Sequence, residues 1–253
     1  MLSDQDFMRY SRQLLLEEIG PAGQEQLAKS TVLIVGLGGL GSPAALYLAA
    51  AGVGTLLLAD DDSLHISNLQ RQILFRSRDT GKKKAVLAAT TLHELNPSVH
   101  LHSLTQRIDA EQLNHLPARP TIVLDCSDNM ATRHLLNSWC FEQQIPLISA
   151  SAVGFSGQLL VLTAPWTQGC YRCLWPESDE PERNCRNSGV AGPVVGMMGS
   201  LQALEAVKLM TTGHSAASGQ LMLFDARELQ WRRLQLTPAL DCPVCGETHA
   251  DYA

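Results

Sequence analysis

The stretch "VLIVGLGGLGSPAALYLAAAGVGTLLLADDD", Val32 to Asp62, limits the possible folds more than any other. A short apolar run ends in Gly36-x-Gly38-Gly39-x-Gly41, small and apolar residues follow, and a second apolar run ends in Asp60. Glycines between a strand and a helix let the backbone approach phosphate groups. The helix start adds unpaired N–H groups and the positive end of its dipole. Asp60 stands nineteen residues beyond Gly41, where such units place a carboxylate on ribose hydroxyls. The bland alternative is a tight turn between a buried strand and a buried helix. A dinucleotide such as NAD and a mononucleotide such as ATP are served equally well by this turn. It also reads G-x-x-x-x-G-S, a P-loop pattern without its lysine, so a triphosphate would need cations from elsewhere.

The rest of the chain supplies them. "HISNLQRQILF" carries Asn68, Arg71 and Gln72, and "TGKKKAVL" sets Lys82, Lys83 and Lys84 at a helix start. The helix dipole repels cations there, so three lysines want an anion or solvent. "DCSDN" ends another strand, and Asp128 and Asn129 offer oxygens suited to Mg²⁺, although the same residues also read as a strand-to-helix cap. Asp60, Arg71, Lys84 and Asp128 at one sheet edge describe a triphosphate site and favour ATP over NAD.

Around this nucleus, apolar strands are expected at Thr31–Val35, Thr55–Ala59, Val99–Leu104, Thr121–Asp125 and Pro146–Ala150. Helices are expected at Ser42–Ala51, Lys82–Leu95 and Ala131–Gln143. Such alternation means a parallel sheet covered on both faces. After Ala150 the pattern changes: "GQLLVLTAP", "QLMLFDA" and "QWRRLQLT" read as antiparallel strands around a helix at Gly189–Met210. The fold class is therefore α/β, a Rossmann-like doubly wound sheet, parallel in its N-terminal half and extended by antiparallel strands. No linker separates residues 1–150 from 151–253, so one domain is expected. An N-terminal amphipathic helix is predicted over Ser3–Ile19, capped by Ser3 with Asp6 and stopped by Gly20-Pro21.

Composition narrows the function classes. A net charge of −6 gives no electrostatic footprint for nucleic acid. The N-terminus is too polar for a signal peptide, and Gly189–Met210 is too polar and glycine-rich for a membrane span. Seven cysteines, an odd number, point to a reducing compartment, the cytoplasm. "CYRC" and "CPVC" make two C-x-x-C pairs, and Cys170, Cys173, Cys242 and Cys245 suit a closed structural zinc site. Two disulfides or a redox pair are the competing readings. Cys185, flanked by Arg183 and Arg186 in a polar loop, is a candidate thiolate or a bland surface cysteine. Cys126 and Cys140 read as core residues.

Taken together, "RYSRQ", the glycine turn, "SNLQRQILF", "DCSDN", the two cysteine pairs and "GSLQALEAVKL" resemble the E1-like HesA/MoeB/ThiF family, adenylyltransferases of sulfur-carrier proteins. The run "CYRCLWPESDEPERNCRNSGV" is most similar to the thiamine-pathway branch, whose carrier is ThiS. The resemblance implies a homodimer in which Arg12 reaches the partner's ATP. It implies ATP contacts from the turn, Asp60, Asn68, Arg71, Gln72 and Lys84, with Asp128 on magnesium. It also implies that Cys185 bonds covalently to the activated carrier, and that residues 151–253 bind the carrier and zinc. A carrier's C-terminal glycine carboxylate would attack the α-phosphate, and a persulfide donor would then displace AMP. That carboxylate is already ionised and needs no general base, which suits a chain without a nucleophile–His–Asp constellation. The molybdopterin synthase small subunit is the alternative carrier. An NAD-dependent oxidoreductase or a noncatalytic nucleotide-binding scaffold are the alternatives from other classes.

Overall fold

The computed structural model describes residues 2–176 and 189–246. Among them the strands are β1 (Thr31–Val35), β2 (Thr55–Ala59), β3 (His100–Leu104), β4 (Ile122–Asp125), β5 (Leu147–Val153), β6 (Ser156–Leu162), β7 (Gln220–Asp225) and β8 (Gln230–Gln235). They form one sheet in the order β3-β2-β1-β4-β5-β6-β7-β8. The first five run parallel, and β6, β7 and β8 are added antiparallel. The chain leaves β1 for β2 and β3 on one side and returns to β4 on the other. The β1/β4 junction is thus the switch point at which open α/β sheets bind ligands, outside the carboxyl ends of their strands.

The helices are α1 (Asp4–Arg9), α2 (Ser11–Leu14), α3 (Gly20–Lys29), α4 (Gly41–Ala50), α5 (Lys84–Leu95), α6 (Ala110–Asn114), α7 (Met130–Gln143), α8 (Tyr171–Leu174) and α9 (Gly192–Thr212). Strands β1, β2 and β4 are unbroken apolar runs because both of their faces are covered. On one face Leu48, Leu92, Met198 and Ala206 close against Ile34, Leu58 and Val161. On the other, Leu136, Trp139 and Cys140 pack with Leu33, Leu57 and Val123. Each fully buried leucine contributes about 2 kcal/mol. Helix α9 lies close on α4: a Cβ at Gly199 would fall 2.1 Å from the Leu40 carbonyl oxygen, so glycine there serves packing within the chain. Edge strand β8 is exposed throughout, and Arg232 and Arg233 discourage further pairing along it.

Two expectations need correction. The predicted Ser3–Ile19 helix is broken into α1 and α2, because Tyr10 turns inward, is 6% exposed and accepts from Asn96 Nδ2 at 2.9 Å. Gly20-Pro21 opens α3 instead of stopping a helix: proline at the first turn loses no hydrogen bond, since the N–H there has no helical partner. The Ser3/Asp6 capping box itself is present. Helix α6, capped by Asp109, was not anticipated. No helix among the described residues is long and apolar enough to cross a membrane.

Candidate active site

The carboxyl ends of β2, β1, β4 and β5 open into a cavity of about 1150 Å³. Beside it lies a smaller one of about 270 Å³, lined by Gln106, Arg107 and Ile108, with Asp60 and Asp128 shared between the two. The larger volume exceeds the roughly 300–1,000 Å³ of a typical small-molecule site, which leaves space for a second substrate.

The glycine turn lies on its floor. Gly36 has φ +91° and an added Cβ would lie 2.6 Å from the Cys126 carbonyl oxygen. At Gly41 a Cβ would overlap the Gly36 carbonyl oxygen. No other residue fits either position, and the closeness brings the turn against the end of β4. The Asp60 carboxylate braces the turn, accepting from Leu37 N–H at 2.8 Å and from Asp62 N–H at 2.9 Å. Burial pushes the Asp60 carboxyl above its ordinary value, and the Lys84 cation with those two N–H groups pulls it only partly back. The Ser42 hydroxyl donates to Leu37 O at 3.2 Å, so the serine of the P-loop-like pattern is committed to the turn.

The three lysines diverge. Lys82 pairs with Asp79 at 2.8 Å and Lys83 donates to Asp61 O, while Lys84, only 4% exposed, turns inward. Its ammonium stands 2.9 Å from Asp62 and 3.9 Å from Asp60. Arg71, Asn68 and Gln72 line the same cavity. Arg71 donates to Ser67 O at 3.2 Å, and Asn68 Oδ1 accepts from His65 N–H at 3.0 Å. Gln72 is 4% exposed, and no donor among the described residues reaches its buried Oε1. That buried amide oxygen calls for an O–H or N–H donor, which a ligand's hydroxyl or amino group or a water would supply and phosphate oxygens would not.

The end of β4 is held by a buried network. Asp125 accepts from the Ser127 and Ser149 hydroxyls at 2.6 Å each, and Arg133 Nη1 lies 3.8 Å away. Arg133 Nη2 donates to Ser127 O at 2.7 Å and to Ala150 O at 3.1 Å. Burial is the largest influence on Arg133 and by itself would lower its pKa, but Asp125, Tyr171 and Asp128 together outweigh it and the net direction is upward. Between these anchors Asp128 projects into the cavity and is exposed. Asn129 is the N-cap of α7, its Oδ1 accepting from Thr132 N–H at 2.9 Å. The capping alternative for this stretch thus describes Asn129, while the Asp128 carboxylate lines the cavity.

Cys170, Cys173, Cys242 and Cys245 converge with all four Sγ atoms within 4.8 Å of one another. Sγ–Sγ distances of 3.7 Å (Cys170–Cys242) and 3.4 Å (Cys173–Cys245) approach the separation of about 3.8 Å that tetrahedral zinc with four 2.3 Å bonds requires. Neither pair is at disulfide length. Asn137 Nδ2 and Ala239 N–H point at Cys170 and Cys173 Sγ, the outer support usual around thiolate ligands. Four such sulfurs fit zinc, and the site ties 242–246 to α8, where Tyr171 and Leu174 line the large cavity.

Not every expected residue meets at this site. Arg12 is exposed on α2, whose neighbour Gln13 donates to Ala51 O just before β2 begins. The length of β2, about 17 Å, separates that end from the cavity of the same chain. Cys185 lies outside the described residues. Cys126 and Cys140 are buried, as expected. Motif reading missed Arg133, Tyr171, Trp175, Arg107 and Ile108. Of these, only Arg133, one turn into a helix behind "DCSDN", carried a signal that could have been followed.

Comparison with known proteins fits this geometry. The ThiF family profile matches residues 10–244. The chain is 59% identical, over 250 residues and 99% of both chains, to the sulfur carrier protein ThiS adenylyltransferase of Escherichia coli K12. It is 42% identical to the molybdopterin-synthase adenylyltransferase of Salmonella typhimurium, over 97% of this chain and 99% of that one. Among solved structures, Escherichia coli MccB with MccA-N7isoASN superposes with a TM-score of 0.83 at 22% identity, covering 97% of this chain and 83% of that one. At that identity the likeness speaks for the fold alone.

Proposed function

The chain belongs to the ThiF family, and from that premise we propose that it adenylates the C-terminal glycine carboxylate of a ThiS-type sulfur carrier with ATP. The observation that carries this reading is the convergence of the Gly36 turn, Asp60, Arg71, Lys84 and Asp128 on one cavity with room for two substrates.

With ribose on Asp60, the base falls beyond it into the smaller pocket at Gln106–Ile108, and the phosphates run over the turn toward Arg71 and Lys84. The carrier carboxylate is ionised at neutral pH and attacks the α-phosphorus, so that pyrophosphate leaves. The chain's task is positioning and neutralisation of charge. Lys84 exchanges Asp62 for a phosphoryl oxygen, and Arg71 exchanges its own backbone partner. Asp60, Asp62 and Asp128 outnumber these two cations, so a triphosphate calls for further positive charge. Magnesium held by Asp128 would supply it, neutralising phosphate oxygens as charge develops. Zinc on the four cysteines would be structural.

The resemblance adds three elements to the proposal. In a homodimer, Arg12 would serve the partner's site, in keeping with its place at the far end of β2. A persulfide donor's terminal sulfur would attack the acyl-adenylate and expel AMP, leaving the carrier as an acyl disulfide with the donor, and the Cys185 thiolate would then displace the donor thiolate to give the covalent link between Cys185 and the carrier. Free thiolates of this kind suit the cytoplasm.

The test is incubation with magnesium, ATP and ThiS, read by intact mass of the carrier and by ATP–pyrophosphate exchange. Relatives acting in molybdopterin synthesis favour a second reading, in which the molybdopterin synthase small subunit is the carrier. The same assay run with that protein separates the two.

A further inference from the structure

Asn137 on α7 is wholly buried, and both ends of its amide go to the first cysteine pair. Its Oδ1 accepts from Tyr171 N–H at 2.9 Å, and its Nδ2 donates to Cys170 Sγ at 3.5 Å. The Tyr171 N–H can only donate, which fixes the amide: its oxygen faces Tyr171 and its NH₂ faces the sulfur. Cys170 is therefore served as an acceptor, the role of a thiolate and of a metal-bound thiolate. Tyr171 opens α8, and Cys170 at the N-cap gives that helix no side-chain cap. Asn137 supplies the missing acceptor from another helix.

The same tyrosine belongs to the cavity. Its ring meets His134 of α7 edge-on, centroids 5.4 Å apart, and its hydroxyl donates to Met130 Sδ at 3.4 Å. Trp175 packs on its other side with centroids 4.5 Å apart. Tyr171, Trp175 and Met130 all line the large cavity. Asn137 thus joins two things through adjacent residues: the sulfur of Cys170 and the backbone of the aromatic wall. A shift of the cysteine pair cannot leave Tyr171 where it is, because one buried amide holds both.

We infer that Asn137 is a positioning residue that couples the four-cysteine centre to the adenylation cavity. Its N–H strengthens zinc binding by withdrawing charge from the Cys170 thiolate, which shares the excess negative charge of four thiolates on one divalent ion. Its C=O passes the order of the bound centre to Tyr171 and so to the cavity wall. Zinc and the carrier then favour each other's binding. Linkage makes this reciprocal: if zinc readies the wall for the carrier, a bound carrier tightens zinc by the same factor. The effect on zinc stands independently of the adenylation reading above, whereas the coupling to the carrier rests on it.

Two measurements decide it. The first is zinc affinity, read by competition with a chromophoric chelator at pH 8.5, where a new carboxyl is ionised. Asn137→Asp keeps the shape of the side chain and an acceptor for Tyr171 N–H, but turns an oxygen toward Cys170 Sγ. Zinc affinity falls by about 10–100-fold, the usual scale for a lost outer partner of a metal ligand. Unchanged affinity in the folded variant overturns the role, because a residue that only anchors Tyr171 would survive this change. Should the variant not fold, the wild type decides by linkage. ThiS, added with magnesium and a non-hydrolysable ATP analogue, raises wild-type zinc affinity by about fivefold or more, and this gain is lost in folded Asn137→Asp. Bound carrier with unchanged zinc affinity overturns the coupling. If a direct titration shows that ThiS does not bind, the adenylation reading fails instead, and the zinc affinity of Asn137→Asp still decides the role of the amide.

Discussion

Lys84 donates to Asp62 at 2.9 Å from a nearly buried position, while its partner's side chain is 68% exposed. The pair is asymmetric: the lysine is held at the cavity and the aspartate faces water. On the adenylation reading, Asp62 would be a placeholder for a phosphoryl oxygen. Lys84→Ala should lower carrier adenylation by about a hundredfold, the scale of losing one charge-stabilising donor. Asp62→Asn should leave Mg·ATP binding intact or tighten it by no more than a few-fold, since an exposed pair contributes about 0–1 kcal/mol. Calorimetric titration with Mg·ATP checks both variants, and weaker binding in Asp62→Asn would refute the placeholder role.

Asp128→Ala should reduce adenylation by about 10²–10³-fold without changing the melting temperature, because the side chain projects into the cavity and packs no core. Pyrophosphate exchange and thermal unfolding measured together test this. A variant equally active, or one that unfolds, would remove the assigned role.

Arg133→Leu should behave in the opposite way. Removing one partner of a buried pair leaves the Asp125 carboxylate without a counter-charge, held only by neutral donors such as the Ser127 and Ser149 hydroxyls, and should cost about 3–5 kcal/mol of stability. Urea denaturation measures it, and a change below about 1 kcal/mol would mean that the network around Asp125 closes up without the guanidinium.

The direction of the Asp60 shift fixes a pH dependence. Its folded pKa is raised above the ordinary 3.8, chiefly by burial. Stability from this group is fully present below the unfolded value and is lost as pH rises through the folded one. On the proposed reading ATP binding runs the other way, because an ionised carboxylate would accept from both ribose hydroxyls. The thermal shift produced by Mg·ATP should therefore shrink as pH falls toward 3.8 from above, sooner than an unperturbed aspartate would allow. In Asp60→Asn the shift should be small and flat with pH. An equally steep profile in that variant would place the titrating group elsewhere.

The zinc reading gives a stoichiometry and a stability effect. Purified protein should contain one zinc per chain, lost in Cys242→Ser, and chelation should lower the melting temperature because metal binding stabilises only the folded site. Metal analysis showing no zinc in active protein would contradict it.

How much of this was legible in the residues depends on how local each feature is. The Gly36 turn and Asp60 are written into a single strand–turn–helix–strand unit, so their meeting follows from short-range geometry. The two C-x-x-C pairs were legible for a different reason, since their ligand chemistry demands a partner wherever it lies in the chain. Lys82, Lys83 and Lys84 looked equivalent on paper. Only the pitch of α5 and the position of Asp62 single out Lys84. Arg133, Tyr171 and Trp175 were hidden because they reach the cavity through packing of α7 and α8 on distant strands. The N-terminal helix was misread because Tyr10 has an apolar side chain that suits a helix face, yet its buried contact with Asn96 breaks the helix there.

The account stands or falls on one intact-mass measurement. Wild-type protein, incubated with ATP, magnesium and ThiS, should convert the carrier to a species heavier by one AMP while pyrophosphate appears. A carrier of unchanged mass with ATP left intact, under conditions in which the protein binds the nucleotide, would contradict it.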